Sequence, residues 1–349
     1  MNKVDYKKVH PNFKWNGVAL NHNNFLIAAY DLIKEGQEFE RNAGEFILEW
    51  FNSQTYITVS TSGTTGIPKK IKIDKQAMVL SALATADFFD LKAGNRVLNC
   101  LSTNYIAGKM MLIRSIIFGF EMDFVVPTSH PLRGKTVVYD FVAMVPLQVE
   151  NSLNELINVK KLIVGGAKIN VNLRNQLLSL PTLVYETYGM TETITHVAAK
   201  RISDNYFSVL PNVTISTDNR NCLVIDVPRI SNSIIITNDV VNIISNSEFE
   251  LLGRIDNVIN SAGVKLFPEQ IEMKLANKIQ TRFFVIGIPD DQYGEQLALI
   301  IEGIPVVFDP DFFNDLSSYE KPKNIYFVSN FVETESGKIN RNETLNLID

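Results

Sequence analysis

The chain has 349 residues, 46% of them hydrophobic, 10% aromatic and 20% charged, enough for two domains at roughly 150 residues each and for a sizeable core. That excludes a stapled mini-protein and a wholly disordered chain. With 33 basic against 38 acidic residues the net charge is −5, so no cationic surplus exists to hold a nucleic acid backbone.

The two cysteines, Cys100 and Cys222, form no C-x-x-C or zinc pattern, and a reduced compartment is expected. The histidines His10, His22, His130 and His196 are scattered and read as structural or surface residues. The opening MNKVDYKKVHPN lacks the apolar core of a signal peptide, and the most apolar stretch, 110–120, carries Arg114 and is too short for a bilayer span. A cytoplasmic protein without membrane insertion is expected.

From about residue 56 to 190, β-branched runs alternate with helical-period segments, predicting a mostly parallel α/β sheet. Predicted strands are 56–60, 96–101, 122–127, 139–146, 161–166 and 182–187, with helices over 74–90, 107–119, 148–156 and 170–180. Between about 194 and 252 the runs YFSVL, VTIST, CLVIDV, SIIIT and FELLG, divided by Asn, Asp and Ser, predict an antiparallel subdomain without helices. After GRIDN (253–257) a smaller α/β pattern returns, with a helix over 268–277, strands RFFVIGI and LALIIEG, another short helix and the strand NIYFVS. The expected division is a large domain over 1–252, its β-rich part at 194–252, and a small α+β domain over 253–349.

The most informative segment is STSGTTGIPKK (60–70), which follows a predicted strand. Gly63 and Gly66 let backbone N–H groups converge on an anion, Ser62, Thr64 and Thr65 add hydroxyls next to Thr61, and Lys69 adds positive charge. It is not a Walker A loop, because Gly66 is followed by Ile67-Pro68-Lys69. The chain also lacks a G-x-S-x-G elbow, a Cys/His constellation and a G-x-G-x-x-G loop.

TSGTTGIPK closely resembles the phosphate loop of the adenylate-forming superfamily, which includes acyl-CoA synthetases, peptide-synthetase adenylation domains and luciferases. Three further blocks match in order: YETYGMTET (185–193), TND (237–239) with GRIDNVINSAGVKLFPEQIE (253–272), and ESGKINR (335–341). The resemblance implies a large domain with mostly parallel sheets flanked by helices and a small mobile C-terminal domain. It also implies Mg2+, with ATP and CoA as co-substrates and a carboxylic acid as the third partner. Oligomeric state is left open.

By the same resemblance Tyr188 stacks on adenine, Glu186 lies against the adenine edge, and Thr187, Gly189 and Met190 complete that stretch. Gly165, Gly166 and Ala167 bring backbone between nucleotide and acyl pocket. Thr191 bonds a phosphate oxygen and Glu192 helps hold Mg2+, a hard cation suited to carboxylate oxygen; without such a partner Glu192 is a surface acid. Asp239 and Arg254 reach the ribose, although Asn238 stands where the family has Gly, and by residue type alone Asp239 would be a turn cap. Asp256 matches the hinge, and Gly263 and Lys265 lie in the loop that faces the CoA step. Lys338, by default a solvated lysine, matches the catalytic lysine that contacts the substrate carboxylate and the α-phosphate.

Only about 55 residues precede the phosphate loop, so much of the family's usual first subdomain is expected to be missing. This trimming, with AMVPLQVENSL (143–153) before GGAKI, resembles the o-succinylbenzoate–CoA ligases of menaquinone biosynthesis. The expected reaction is AMP-forming acid–thiol ligation. An acyl-pocket wall is expected at LSTNYIAGKMM (101–111), with Tyr105 and Gly108 in the place of the family's gate; Lys109 is either a partner for a second carboxylate or a helix-start lysine. An adenylating enzyme for another acid, a non-catalytic nucleotide-binding protein and a phosphotransferase stay as rivals.

Overall fold

The computed structural model describes residues 4–60, 70–228, 230–231, 233–309, 311–333 and 339–348. The phosphate-loop residues Thr61, Ser62, Gly63, Thr64, Thr65, Gly66 and Lys69, and the C-terminal Lys338, lie outside them. Among the described residues no helix is long and apolar enough to cross a membrane.

The chain opens with two short strands, β1 (Lys14–Trp15) and β2 (Val18–Ala19), and a helical hairpin, α1 (His22–Glu35) and α2 (Glu38–Phe51). The hairpin turns at Gly36, and Gln37 with Glu40 forms a capping box that starts α2. Phe25 and Ala29 of α1 and Phe46, Ile47 and Trp50 of α2 are buried in the largest core cluster. None of these first 51 residues was assigned an element from the sequence.

Next come β3 (Tyr56–Ser60), β4 (Lys70–Asp74), α3 (Lys75–Phe88), β5 (Arg96–Asn99), α4 (Ile106–Phe118), β6 (Glu121–Phe124) and β7 (Tyr139–Met144). The expectation that 56–60 joins the parallel sheet is wrong: β3 pairs antiparallel with β4, a strand the sequence reading missed, in a separate two-stranded sheet. Alternating Lys and Ile in KIKID give β4 a two-residue period too short to separate from the helix that follows. Asp74 then caps α3 by accepting from the Ala77 N–H.

After β7 the helix expected over 148–156 shrinks to α5 (Pro146–Glu150) and a separate 3-10 turn at Glu155–Asn158, because Asn151 and Ser152 break the run into hydrogen-bonded turns. Then follow β8 (Val159–Val164), α6 (Val171–Leu178) and β9 (Leu183–Gly189), and the β-rich stretch β10 (His196–Arg201), β11 (Phe207–Val209), β12 (Thr214–Thr217), β13 (Cys222–Asp226), β14 (Ile235–Ser245) and β15 (Glu248–Arg254).

These strands form one 13-stranded sheet in the order β12-β13-β14-β15-β11-β10-β9-β8-β7-β5-β6-β1-β2. From β9 to β6 neighbours run parallel, and β10 to β15 pair antiparallel. The antiparallel stretch expected as a subdomain is thus hydrogen-bonded to the parallel part through β9 and β10. Parallel strands covered on both faces are nearly all apolar, and in β7 five of six residues are buried.

Arg254 is the last strand residue of this sheet. A second sheet begins with β16 (Ile259–Ser261) and β17 (Val264–Leu266), continues through α7 (Pro268–Leu275) to β18 (Phe283–Asp290), β19 (Gly294–Glu302) and β20 (Asn324–Val328), and is followed by α8 (Arg341–Leu345). The short helix expected between LALIIEG and NIYFVS is instead a set of turns, with the Asp309 carboxylate accepting from the Asp311 N–H and Asp311 from Asn314. Gln270 of α7 donates to the Leu251 and Leu252 carbonyls, joining the small sheet to the end of the large one.

Candidate active site

Of the predicted site residues, Tyr188, Asp239 and Arg254 come together where β9 and β15 end beside the first half of β14. Tyr188 is only 8% exposed, because period-two alternation turns it into the cluster formed by Phe207 and Phe249, with ring centroids 5.9 and 5.4 Å away. Its hydroxyl donates to Asp239 Oδ2 at 2.6 Å. Burial, with the Asp239 charge beside it, pushes the phenol far above its ordinary range, so Tyr188 is a neutral donor.

Asp239 and Arg254 stand opposite each other in the β14–β15 ladder, with Arg254 Nη1 3.7 Å from the Asp239 carboxylate. Arg254 Nη2 also donates to Asp256 at 2.9 Å, holding the Asp256 carboxyl below its usual range. Asn238 donates to both Asp256 oxygens at 3.3 Å and accepts from Arg220 at 3.2 Å. The residue that departs from the family pattern therefore ties Asp256 to β14. Glu186, one strand-step before Thr187, is flanked by Lys200 at 3.1 Å and Arg174 at 3.5 Å.

Thr187 donates its hydroxyl to the Val164 carbonyl, placing β9 against the turn that carries Gly165, Gly166 and Ala167. Gly189 is required by packing, because a Cβ there would lie 2.4 Å from the Thr195 carbonyl oxygen and 2.8 Å from the His196 nitrogen. Met190 leads into a 3-10 turn, Thr191–Thr193, closed by the Thr193 hydroxyl, and Glu192 points to solvent on it. Ile194 then takes φ +67°, a left-handed conformation that is costly for a β-branched residue. The strain reverses the chain immediately behind Glu192.

Gly263 (φ +81°) and Ala262 (φ +51°) form the two-residue turn between β16 and β17, the primed geometry that hairpins favour; Lys265 is exposed beside it. At the start of α4, Tyr105 is exposed and Gly108 is buried. The Lys109 ammonium lies over the Phe46 ring, 4.2 Å from its centroid.

In the sequence Arg114 is only a charge within an apolar run. Five residues on from Lys109, it points about 140° away around α4. Its side chain is 3% exposed and donates to the Thr195 hydroxyl at 3.2 Å and weakly to Met111 Sδ, while Nε has no partner among the described residues. Burial pushes its pKa down to about 9. No carboxylate among the described residues pairs with it. A buried cation left this way is costly, and an arginine inside MMLIRSIIF was the signal that could have singled it out.

Residues 52–229 match the family of AMP-binding enzymes, and the chain belongs to that family. Among solved structures it is similar to an acyl-CoA synthetase (AMP-forming)/AMP-acid ligase II-like protein of Dyadobacter fermentans, 34% identical, with 90% of this chain and 95% of that one covered and a TM-score of 0.62. A 2-succinylbenzoate–CoA ligase of Staphylococcus epidermidis is 24% identical over 331 residues, which are 83% of this chain and 70% of the relative. The o-succinylbenzoate CoA synthetase of Bacillus subtilis, in complex with its acyl-adenylate intermediate, shares the fold at a TM-score of 0.71 and 19% identity, with 84% and 68% covered.

Proposed function

We propose that the protein is an ATP-dependent acid–CoA ligase that converts o-succinylbenzoate, an aromatic keto-diacid, to its CoA thioester through an acyl-adenylate. The observation that carries this reading is the convergence of Tyr188, Asp239 and Arg254 from three strands, an aromatic ring beside a carboxylate and a guanidinium that suit a base and a ribose. The 2-succinylbenzoate–CoA ligases among its relatives support the choice of acid.

One substrate carboxylate attacks the α-phosphorus of ATP and pyrophosphate leaves; the CoA thiol then attacks the acyl carbonyl and AMP leaves. No nucleophilic side chain is required. Asp239 and Arg254 would hold the ribose, Glu186 the adenine edge, and the loop from Thr61 to Lys69 the phosphates. Glu192 fits a magnesium ion, being an exposed carboxylate at the end of β9 with the Thr191 hydroxyl next to it; bound there, the ion would neutralise triphosphate charge. Arg114 would pair with the carboxylate that is not activated. Lys338 would stabilise charge as phosphorus is attacked, and a turn of the small domain about Asp256 would withdraw it and bring Gly263 and Lys265 towards CoA. The large domain would be 1–252 and the small one 253–349. The cytoplasm, which keeps thiols reduced, suits this reading.

The test is incubation with ATP, Mg2+, CoA and o-succinylbenzoate, read by mass spectrometry for AMP and the thioester. ADP as the product would overturn the reading, and AMP formation with other acids but not this one would move the substrate. Lys338→Ala should cut pyrophosphate release by about 10²–10³ and spare thioester formation from supplied acyl-adenylate.

A further inference from the structure

His196 and Thr195 follow the strained Ile194, and neither has a part in the chemistry set out above. Their hydrogen bonds form a consistent directed chain when the Thr85 hydroxyl closes on its own helix. With the Thr85 hydroxyl donating to the Ser81 carbonyl at 3.1 Å, its oxygen is left to accept from His196 Nε2, 3.3 Å away. A neutral imidazole protonated on Nε2 has a bare Nδ1, and that nitrogen lies 3.1 Å from the Thr195 hydroxyl, which therefore donates to it. The Thr195 oxygen then accepts from Arg114 Nη2 at 3.2 Å and from the backbone N–H of His196. One donor and two acceptor sites exhaust what a hydroxyl offers.

Resting on the diacid reading above, we infer that His196 and Thr195 are positioning residues for substrate selection: the imidazole tautomer orients the Thr195 hydroxyl, and the hydroxyl holds the Arg114 guanidinium so that its Nε–H, which has no partner among the described residues, can meet a substrate carboxylate. Ser81, Thr85, Arg114 and His196 are buried and Thr195 is half-buried, so the Thr85–His196 end of the chain is shielded from water and the Thr195 end is the more open one. The imidazole has to be neutral for Nδ1 to accept. Burial and the neighbouring Arg114 charge keep it so, holding its pKa well below the ordinary value. A histidine that only filled space would need neither the directed hydroxyl nor the arginine at its end.

The experiment measures KM for o-succinylbenzoate, KM for ATP and kcat, by pyrophosphate release, in wild type, Arg114→Gln, Thr195→Val, Thr195→Ser, His196→Leu and His196→Asn. Valine keeps the shape of threonine without the hydroxyl, and the asparagine oxygen reaches the place of Nδ1. The expected result is a rise of about tenfold in KM for the diacid in Thr195→Val and His196→Leu, with the loss falling on KM rather than kcat, and recovery of most of it in Thr195→Ser and His196→Asn. In wild type, 15N NMR of the imidazole should show Nε2 protonated and Nδ1 bare. Leucine tolerated at 196 and asparagine not would mean packing alone and would overturn the proposal, as would Arg114→Gln raising KM while Thr195→Val does not. If Arg114→Gln leaves the diacid KM unchanged, or wild type forms no AMP with this acid, the diacid reading itself fails and the relay with it. Should His196→Leu fail to fold, the Thr195 pair decides.

Discussion

Tyr188 and Asp239 lie 51 positions apart and are joined by a 2.6 Å hydrogen bond between the end of β9 and the first half of β14. The bond makes one unit of a ring and a carboxylate that belong to separate sequence blocks. In Tyr188→Phe the ring stays and the bond goes. A double-mutant cycle with Asp239→Asn, read by nucleotide affinity and by urea unfolding, should give a coupling of roughly 0.5–3 kcal/mol. Additive effects would mean that the two act independently.

Arg114 should exchange stability for selectivity. Replacing an unpaired buried cation by an apolar side chain of similar length removes a desolvation penalty, so Arg114→Met should stabilise the protein by roughly 1–3 kcal/mol while weakening diacid binding. Thermal and urea unfolding check the first effect and the diacid KM the second.

His196 should make the protein sensitive to acid. Its folded-state pKa is well below the ordinary value of 6.5, so above that value both states are neutral and folding is unaffected. As pH falls through it, the unfolded chain takes up a proton that the folded chain refuses, and stability is lost. Between pH 7.5 and 5.5 the loss due to this residue is roughly 1 kcal/mol, and urea unfolding of His196→Asn should show a shallower decline over that window than wild type.

Gly189→Ala should destabilise the protein by roughly 1–3 kcal/mol, because the added Cβ meets backbone atoms of Thr195 and His196 that cannot move aside like a flexible side chain. Gly263→Ala should act differently, through backbone conformation, since no atom lies within 4 Å of a Cβ there but φ is +81°. Chemical denaturation of the two variants separates a steric cost from a conformational one.

The parallel strands from 96 to 189 were legible because a strand buried on both faces writes itself as an unbroken apolar run. The helix α7 was legible from Pro268 at its start and Leu275 one face later. Misread segments were those whose pattern is local and short: KIKID looked like the approach to a helix, and 148–156 looked like one helix because its polar breaks did not disturb the apolar spacing. The hairpin of α1 and α2 is amphipathic, but its sequence carries no group that bears on the chemistry.

By itself the sequence determined the blocks that bear on chemistry, the order in which they occur and the identity of the groups in them, because residue type and local spacing are properties of a chain without neighbours. The tertiary structure alone decided that Asp239 faces Arg254 across a ladder, that Tyr188 reaches Asp239, and that Arg114 is a buried cation donating to Thr195, whose hydroxyl meets His196. Those relations depend on strand register and on burial, which change the meaning of a hydroxyl or a charge by removing water and leaving one partner within reach.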